Sequence, residues 1–377
     1  MFSLNNLTIH VGSVDISKMV TAMSLYESIH GDIKGTLYIT DSINFFDTFI
    51  NKSMPSVEIV YDYLGTKTII PLIGNGITDQ VIDKNGKKYN LNLISISAFN
   101  KSIVKINSVF SGTSNDILIG LWKETQGNLI GLNMNTPAVS KGKYIVPNIP
   151  SGIAISNVVQ SAYDENKTGM FLYQRLSEQG STRFVSLHDM AKSKYYEEDG
   201  KTCFKLHNRY IDKSVITDPG GTVGSCDNFR LLSYNDNYTQ KIAGGLWGKK
   251  VNQFELDQSK KTTLESIERT EIDSPSYKIS QMLYDNGVSL FTPESKIDSD
   301  AIQNTKYRVF NTTLIAEGTV PVPRLSCGMV VDVEQGGSNL SRTKSDGEYI
   351  IASINHRYTM NDGEMNYTQD IGLTREW

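Results

Sequence analysis

The runs VEIVYDY at 57–63, TIIPLIGNGITDQVID at 68–83 and YNLNLIS at 89–95 decide the fold class. They are rich in β-branched and aromatic residues and partly alternate apolar with polar, as half-buried strands do. Gly65 follows the first run, and Asn85-Gly86 separates the second from the third. Both are hairpin signals, because such residues accept the backbone angles of tight turns. The runs therefore read as an antiparallel sheet or small barrel. LTIHVGSVDI (7–16) and GTLYIT (35–40) carry the same character back towards the start. Gly74-Asn75-Gly76, inside the second run, reads as a further turn.

The same order returns near the other end. MVVDVE (329–334) is followed by a loop, then EYIIASINHRYTM (348–360), a turn at Asp362-Gly363, and MNYTQDIGLT (365–374). TTLIAEGTVPVP (312–323) adds another strand, and Asp346-Gly347 marks a turn. Few positions are identical between the two blocks. A duplicated β-domain and two independent meanders both fit such an echo.

Between the blocks the character changes. TSNDILIGLWKET (113–125) offers Thr113 or Ser114 as N-cap and places Ile117, Leu118, Leu121 and Trp122 on one helical stripe. Pro147 and Pro150 bracket a turn, after which SGIAISNVVQSAYDE (151–165) reads as a helix capped by Ser151. MFLYQRL (170–176) and TRFVSL (182–187) read as a strand pair turning at Gly180. This is an α+β module. Further on, FRLLSY (229–234) and KKVNQFELD (249–257) read as strands, with turns at Pro219-Gly220-Gly221 and Gly244-Gly245. SPSYKISQMLYDNG (274–287) reads as a short helix stopped by Gly287.

The expected architecture is mainly β with an α+β insertion. Two similar antiparallel β-barrel domains flank, and are interrupted by, the α+β domain. The first barrel covers residues 1–110, the insertion 111–205 and 247–305, and the second barrel 206–246 and 306–377.

Composition narrows the function classes. A chain of 377 residues can bury a core without disulfides or metals. Its 37 Lys+Arg against 41 Asp+Glu leave a net charge of −4, which disfavours general nucleic-acid binding. No apolar run reaches the roughly 18–20 residues of a bilayer span, and the first residues lack signal-peptide features. The expectation is a soluble chain made inside the cell, with Asn-x-Ser/Thr triplets at Asn51, Asn166 and Asn311 as chance matches. Cys203, Cys226 and Cys327 are too few and too scattered for a disulfide framework.

Catalytic and ligand motifs are weak throughout. His10, His30, His188, His207 and His356 form no zinc-type spacing, and no Cys-x-x-Cys occurs. His188-Asp189 could be a base with its orienting acid, but sequence neighbours seldom adopt triad geometry, so a structural role is the better reading. DENKTG (164–169) resembles half a calcium loop, yet Arg175 stands where the bidentate Glu is required; a turn is expected. The glycine-rich runs at Gly74–Gly76 and Gly220–Gly224 lack the helix and lysine of a phosphate loop. Cys327 reads as a buried structural thiol and Glu197-Glu198-Asp199 as a solvated turn. No catalytic, metal-binding or cofactor-binding residue is expected. Trp122, Trp247 and Trp377 are interface candidates by residue type alone, with core or plain surface roles the simpler reading.

Three segments together resemble the baseplate hub protein of contractile-tailed bacteriophages, whose fold also forms the head of type VI secretion spikes. They are SLYESIHGDIKGTLYITDSINFFDTF (24–49), YIVPNIPSGIAISNVVQSAYDENKTGMFLYQRLSEQGSTRFVSL (144–187), and SCGMVVDVE through NYTQDIGLT with Ile354-Asn355-His356. The resemblance implies a non-enzymatic virion protein of the tail baseplate. It implies a homotrimer whose two tube domains per chain give six positions, fitting a sixfold tail tube to a threefold spike. The implied partners are the tail tube protein, a separate central spike, other baseplate proteins and the tape measure. DNA would pass through the channel without specific binding, and the net charge would discourage sticking. A tail-associated cell-wall hydrolase and a receptor-binding tail protein are the alternatives.

Overall fold

A computed structural model describes residues 2–3, 7–42, 45, 54–63, 66–83, 86–129, 131–165, 168–194, 205–208, 226–236, 249–255, 260–266, 289–290, 312–318, 325–334, 345–361 and 364–375. The amino-terminal block holds β1 (Phe2–Ser3), β2 (Leu7–Val11), β3 (Val14–Asp15), β4 (Val20–Ser28), β5 (Lys34–Asp41), β6 (Ser56–Tyr63), β7 (Thr66–Asp83) and β8 (Gly86–Ser95). There follow α1 (Ile96–Ile103), β9 (Lys105–Thr113), α2 (Ser114–Gln126), β10 (Leu132–Met134), β11 (Lys141–Pro150), α3 (Ser151–Ser161), β12 (Met170–Arg175), β13 (Ser181–Ser186) and α4 (Leu187–Lys192). The remainder holds β14 (Lys205–Asn208), β15 (Cys226–Asp236), β16 (Lys249–Glu255), β17 (Lys260–Ser266), β18 (Ser289–Leu290), β19 (Thr312–Gly318), β20 (Val330–Glu334), β21 (Gly347–Asn361) and β22 (Glu364–Arg375). The chain is mostly β, and most strand pairs are antiparallel.

The hairpin signals hold. β6 pairs with β7 from Tyr63↔Thr66, and β7 with β8 from Asp83↔Gly86; residues 64–65 and 84–85 between them lie outside the described residues. Gly74-Asn75-Gly76 is not a turn. It lies within β7 at a register shift between Gly74 and Ile77, with Gly76 at φ +127°; a second shift follows between Thr78 and Val81, with Asp79 at φ +53°. Positive φ supplies the extra residue of a bulge, which bends the strand without ending it. Pro147 and Pro150 likewise lie inside β11, where the register shifts between Pro147 and Ile149 and Asn148 has φ +51°.

The described strands of both β-rich blocks join in one sheet. Its order is β1-β22-β19-β15-β14-β20-β21-β4-β5-β8-β7-β6-β2-β3. The seam is β4 against β21, from Ser28↔Ser353 to Ala22↔Thr359. β21 also pairs with β22, so β22, β19, β15, β14, β20 and β21 each have two neighbours within the carboxy-terminal half. Alternation sends Met23, Leu25, Leu37, Ile39, Leu91 and Leu93 to one core under the amino-terminal half. A second core gathers Val331, Tyr349, Ile351, Ile354, Ile371 and Leu373 under the other half.

The α+β region has its own core. Thr113 caps α2 in a reciprocal capping box with Asp116, and Ile117, Leu118, Leu121 and Trp122 are buried along the expected stripe. Each such burial is worth about 1.5–3 kcal/mol. These side chains meet Ala154, Ile155 and Val158 of α3 and Phe184 of β13. Ser151 does not cap α3; Pro150 occupies the N-cap and Ser151 is the first helical residue, fully buried. β12 and β13 pair as expected around Gly180, with β10 parallel to β13. β16, β17 and β18 form a separate small sheet. The helix expected at 274–287, the glycine runs at 219–224 and 244–245, and the turn at 197–199 lie outside the described residues.

Candidate functional site

Three parts of the chain meet beneath the seam, and their contacts centre on one carboxylate. Period two along β4 puts Glu27 on the same face as Met23 and Leu25, where it is fully buried. Its Oε1 lies 3.2 Å from Nε2 of His356, on β21. Its Oε2 accepts from the Leu176 N–H and from the Ser326 hydroxyl, each at 3.1 Å. Leu176 opens the 3-10 turn after β12, and Ser326 precedes β20. One side chain from the amino-terminal block therefore touches both the turn after β12 and the carboxy-terminal block.

The His356 ring bridges two groups: its Nε2 faces the Glu27 carboxylate, and its Nδ1 lies 2.7 Å from the Tyr367 hydroxyl. Burial first, then Tyr61 and Glu27 nearby, hold the Tyr367 phenol well above its usual range and keep that proton in place. Tyr358 stacks on Tyr367 with centroids 4.7 Å apart, and Tyr61 of β6 lies beyond it at 5.8 Å. Serine, histidine and carboxylate are all present, but not as a hydrolytic set. Ser326 donates to Glu27 and not to His356, and its side chain has no exposure.

Arg175 ties the end of β12 to the carboxy-terminal block a second time. Its Nε donates to the Cys327 carbonyl at 2.8 Å, and a guanidinium nitrogen donates to the Tyr173 hydroxyl at 3.2 Å. Gly328, at φ +75°, lets the chain pass Tyr173; a Cβ there would collide with the phenol oxygen. Cys327 is free and buried, and burial pushes its thiol up, away from nucleophilic thiolate.

The other residues singled out by sequence are spread over the fold. His188 lies in the first turn of α4, and its neighbour Asp189 bonds Thr136 rather than the imidazole. Asp164 closes a turn by accepting from the Thr168 N–H at 2.7 Å, while Arg175 is engaged at the junction. Trp122 is core, 1% exposed, with the Lys101 ammonium 5.3 Å from its ring. Trp247, Trp377, Cys203 and Glu197–Asp199 lie outside the described residues. Among the described residues no cluster of three or more His, Cys, Asp and Glu could hold a metal, and no helix is long and apolar enough to cross a membrane.

Two surface features complete the picture. A groove of about 810 Å³ runs between the β4–β5 turn, α1, α3 and β12, with Lys101 bonded to Asp32 at 2.6 Å on its wall. The sheet face opposite the cores carries a group of paired polar side chains beside exposed Ile315 and Leu232. Ser24 bonds Asn355 at 2.8 Å, and Arg357 is shared between Glu317 at 3.0 Å and Asp370 at 2.6 Å. Arg230 takes the other Glu317 oxygen at 2.8 Å.

No family model and no curated protein matches this sequence. Solved structures do match its fold. A tail protein from Neisseria meningitidis aligns with 98% of this chain and 96% of its own, at TM-score 0.59 and 12% identity. A 43 kDa tail protein of prophage MuSo2 from Shewanella oneidensis gives the same score and identity over 98% of both chains. An E. coli component of the type VI secretion system, described as structurally similar to bacteriophage tail proteins, aligns with 99% of this chain at TM-score 0.51 and 10% identity. The chain shares its fold with phage tail proteins. At these identities the likeness is one of backbone architecture.

Proposed function

We propose that this protein is a structural hub of a phage-type tail. It would be a homotrimer that joins a sixfold tube to a threefold spike in the baseplate of the virion, with no catalytic role. The observation that carries the reading is fold likeness to tail proteins over 98% of the chain. The two-halved sheet supports it. In this reading residues 1–110 form one tube domain and 206–246 with 306–377 the other, while 111–205 and 247–305 form the insertion. The strand circuit through β19, β21 and β22 is the core of the second tube domain. Three chains with two halves each then present six similar sheets to the tube.

The paired arginines of the face opposite the cores suit a passage for DNA. Arg357 and Arg230 are tied to Glu317 and Asp370, so they make poor clamps for phosphates. DNA would slide past rather than bind. Partners are the tail tube protein, the central spike, further baseplate proteins and the tape measure.

Light scattering after size exclusion tests the proposal, on the protein alone and co-expressed with the neighbouring spike-like gene product. Three chains of 42.0 kDa give 126 kDa, and that mass, or a 3:3 complex with the spike, is expected. A monomer indifferent to the spike would overturn the hub reading.

A further inference from the structure

The two halves of the large sheet repeat one another pairing for pairing. In the amino-terminal half β4 pairs with β5, β5 with β8, β8 with β7 and β7 with β6. In the other half β15 pairs with β19, β19 with β22, β22 with β21 and β21 with β20. Every one of these pairings is antiparallel. The last hairpin of each half turns between Asp83↔Gly86 and between Asn361↔Glu364. Beyond those turns, Tyr89–Ser95 and Tyr367–Leu373 alternate buried and half-buried residues in the same order. β7 is therefore the counterpart of β21, and β15 the counterpart of β4.

The seam joins one strand of each kind, β4 and β21. β21 pairs with β20 only through Gly347–Ile350, and further along the same edge Ser353–Thr359 take β4. β7 is built alike. It pairs with β6 only through Thr66–Ile73, and from Asn75 onward that edge has no partner strand among the described residues. β15 matches β4. From Leu231 to Asp236 its edge away from β19 has no partner strand among the described residues, since β14 reaches only to Phe229. One chain thus holds one complete junction of this kind and both edges of a second. Open edges are pairing templates that soluble proteins ordinarily cover.

We infer that the edge of β7 beyond Asn75 pairs, antiparallel, with the Leu231–Asp236 edge of β15 on a second copy of this chain, repeating the seam between copies. The seam supplies the register. Leu25 pairs there with His356. Pairing leads from Leu25 through Gly35 to Leu93, and from Leu231 through Ala316 to Ile371. Leu93 lies seven residues past Gly86, and Ile371 seven past Glu364, so Leu231 stands where Leu25 does. His356 pairs with Gln369, whose counterpart Leu91 pairs with Ile77. Ile77 is thereby set opposite Leu231, and Ser233 beside the Asn75-Gly76 bulge. Leu232 in the β15 bulge is 46% exposed, and Val81 and Ile82 at the end of β7 are 57% and 71% exposed. Lys87 and Lys88 flank Ile82 and Val81, Asp79 is held by Asn90 and Arg230 by Glu317, so backbone pairing and not charge makes the fit. Different edges on the two copies make a head-to-tail contact, the kind that closes a ring. The inference rests on the hub reading and locates the joint between its copies. A strand pair this short covers less than the roughly 800 Å² per partner of a standard interface, so it is one contact among several in the ring.

Cysteine cross-linking tests the contact, with Asn75→Cys and Ser233→Cys combined in the full chain and each alone as a control. Both positions are exposed, and neighbours on paired strands stand close enough for a disulfide. Oxidation is expected to link the double variant into species of 84.0 kDa (2 × 42.0) and 126 kDa (3 × 42.0), with the two introduced thiols in one linked peptide, and to leave each single variant unlinked. Hydrogen exchange on assembled wild type needs no variant. The slowest amides of Gly76–Thr78 and of Leu232–Tyr234 are expected to exchange within about tenfold of the seam amides Ser24–Tyr26. If wild type assembles while those amides exchange as fast as open chain and the double variant stays unlinked, the contact is overturned and the hub reading stands. If the double variant does not fold, the exchange result on wild type decides alone. If wild type stays monomeric alone and with the spike, both readings fail.

Discussion

Replacing Glu27 by alanine strands a buried imidazole, a hydroxyl and a backbone N–H at once. Each buried donor left unsatisfied costs about 1–3 kcal/mol. Glu27→Ala is therefore expected to lower the denaturant midpoint of both sheet halves together. Glu27→Gln keeps one acceptor and is expected to lose less than half as much. Equal losses would show that a single acceptor oxygen supports none of these contacts and that the intact carboxylate is required. Gly328→Ala acts at the same place by sterics, since positive φ and the Tyr173 hydroxyl both oppose a Cβ. It is expected to cost more than the ~1 kcal/mol typical of a point substitution. Recovery of stability in a Gly328→Ala/Tyr173→Phe double variant would show that the phenol oxygen is the obstacle. His356 and Glu27 are where sequence reading fell short. Each interrupts an apolar alternation on the core phase, Leu25-x-Glu27 and Ile354-x-His356-x-Tyr358, and that phase error is the legible sign of a buried polar contact. Their pairing was not legible, because 329 residues separate them and no local pattern encodes a contact of that range.

At the scale of elements, α2 offers the clearest test. Thr113 donates its N–H and hydroxyl to Asp116, and those two bonds hold the Asp116 carboxyl below its ordinary value of 3.8. A carboxyl depressed on folding contributes stability above its unfolded pKa and loses it as pH falls through the lower folded value. Thr113→Ala is expected to raise the Asp116 titration midpoint towards 3.8, seen by carboxyl NMR, and to cost about 1 kcal/mol through the lost cap. An unmoved midpoint would deny the hydroxyl its role. This helix was legible because its cap, its stripe and its left-handed Gly127 stop are all local. The bulges of β7 and β11 were not. Gly74-Asn75-Gly76 and Pro147-Asn148 carry turn residues, and turn and bulge draw on the same backbone angles. What decides between them is whether a neighbouring strand resumes pairing beyond, as β8 and β9 do.

For the whole molecule, the mainly β character and the helices and strand pair within residues 113–187 were readable from periodicity and turn chemistry. The joining of the two blocks into one sheet was not, since β4 and β21 meet across more than 300 residues. If the tail reading holds, the purified protein is expected to leave no clearing on a cell-wall zymogram; a clear band would favour the hydrolase alternative. The seam also sets a timetable. At roughly 5–20 residues per second, synthesis of the 329 residues between Glu27 and His356 takes about 15–65 s. Throughout that interval β4 has emerged from the ribosome with its β21 edge bare and its carboxylate unmatched. The nascent chain must wait, shielded by its own hairpins or by a chaperone, until almost the last strand is made.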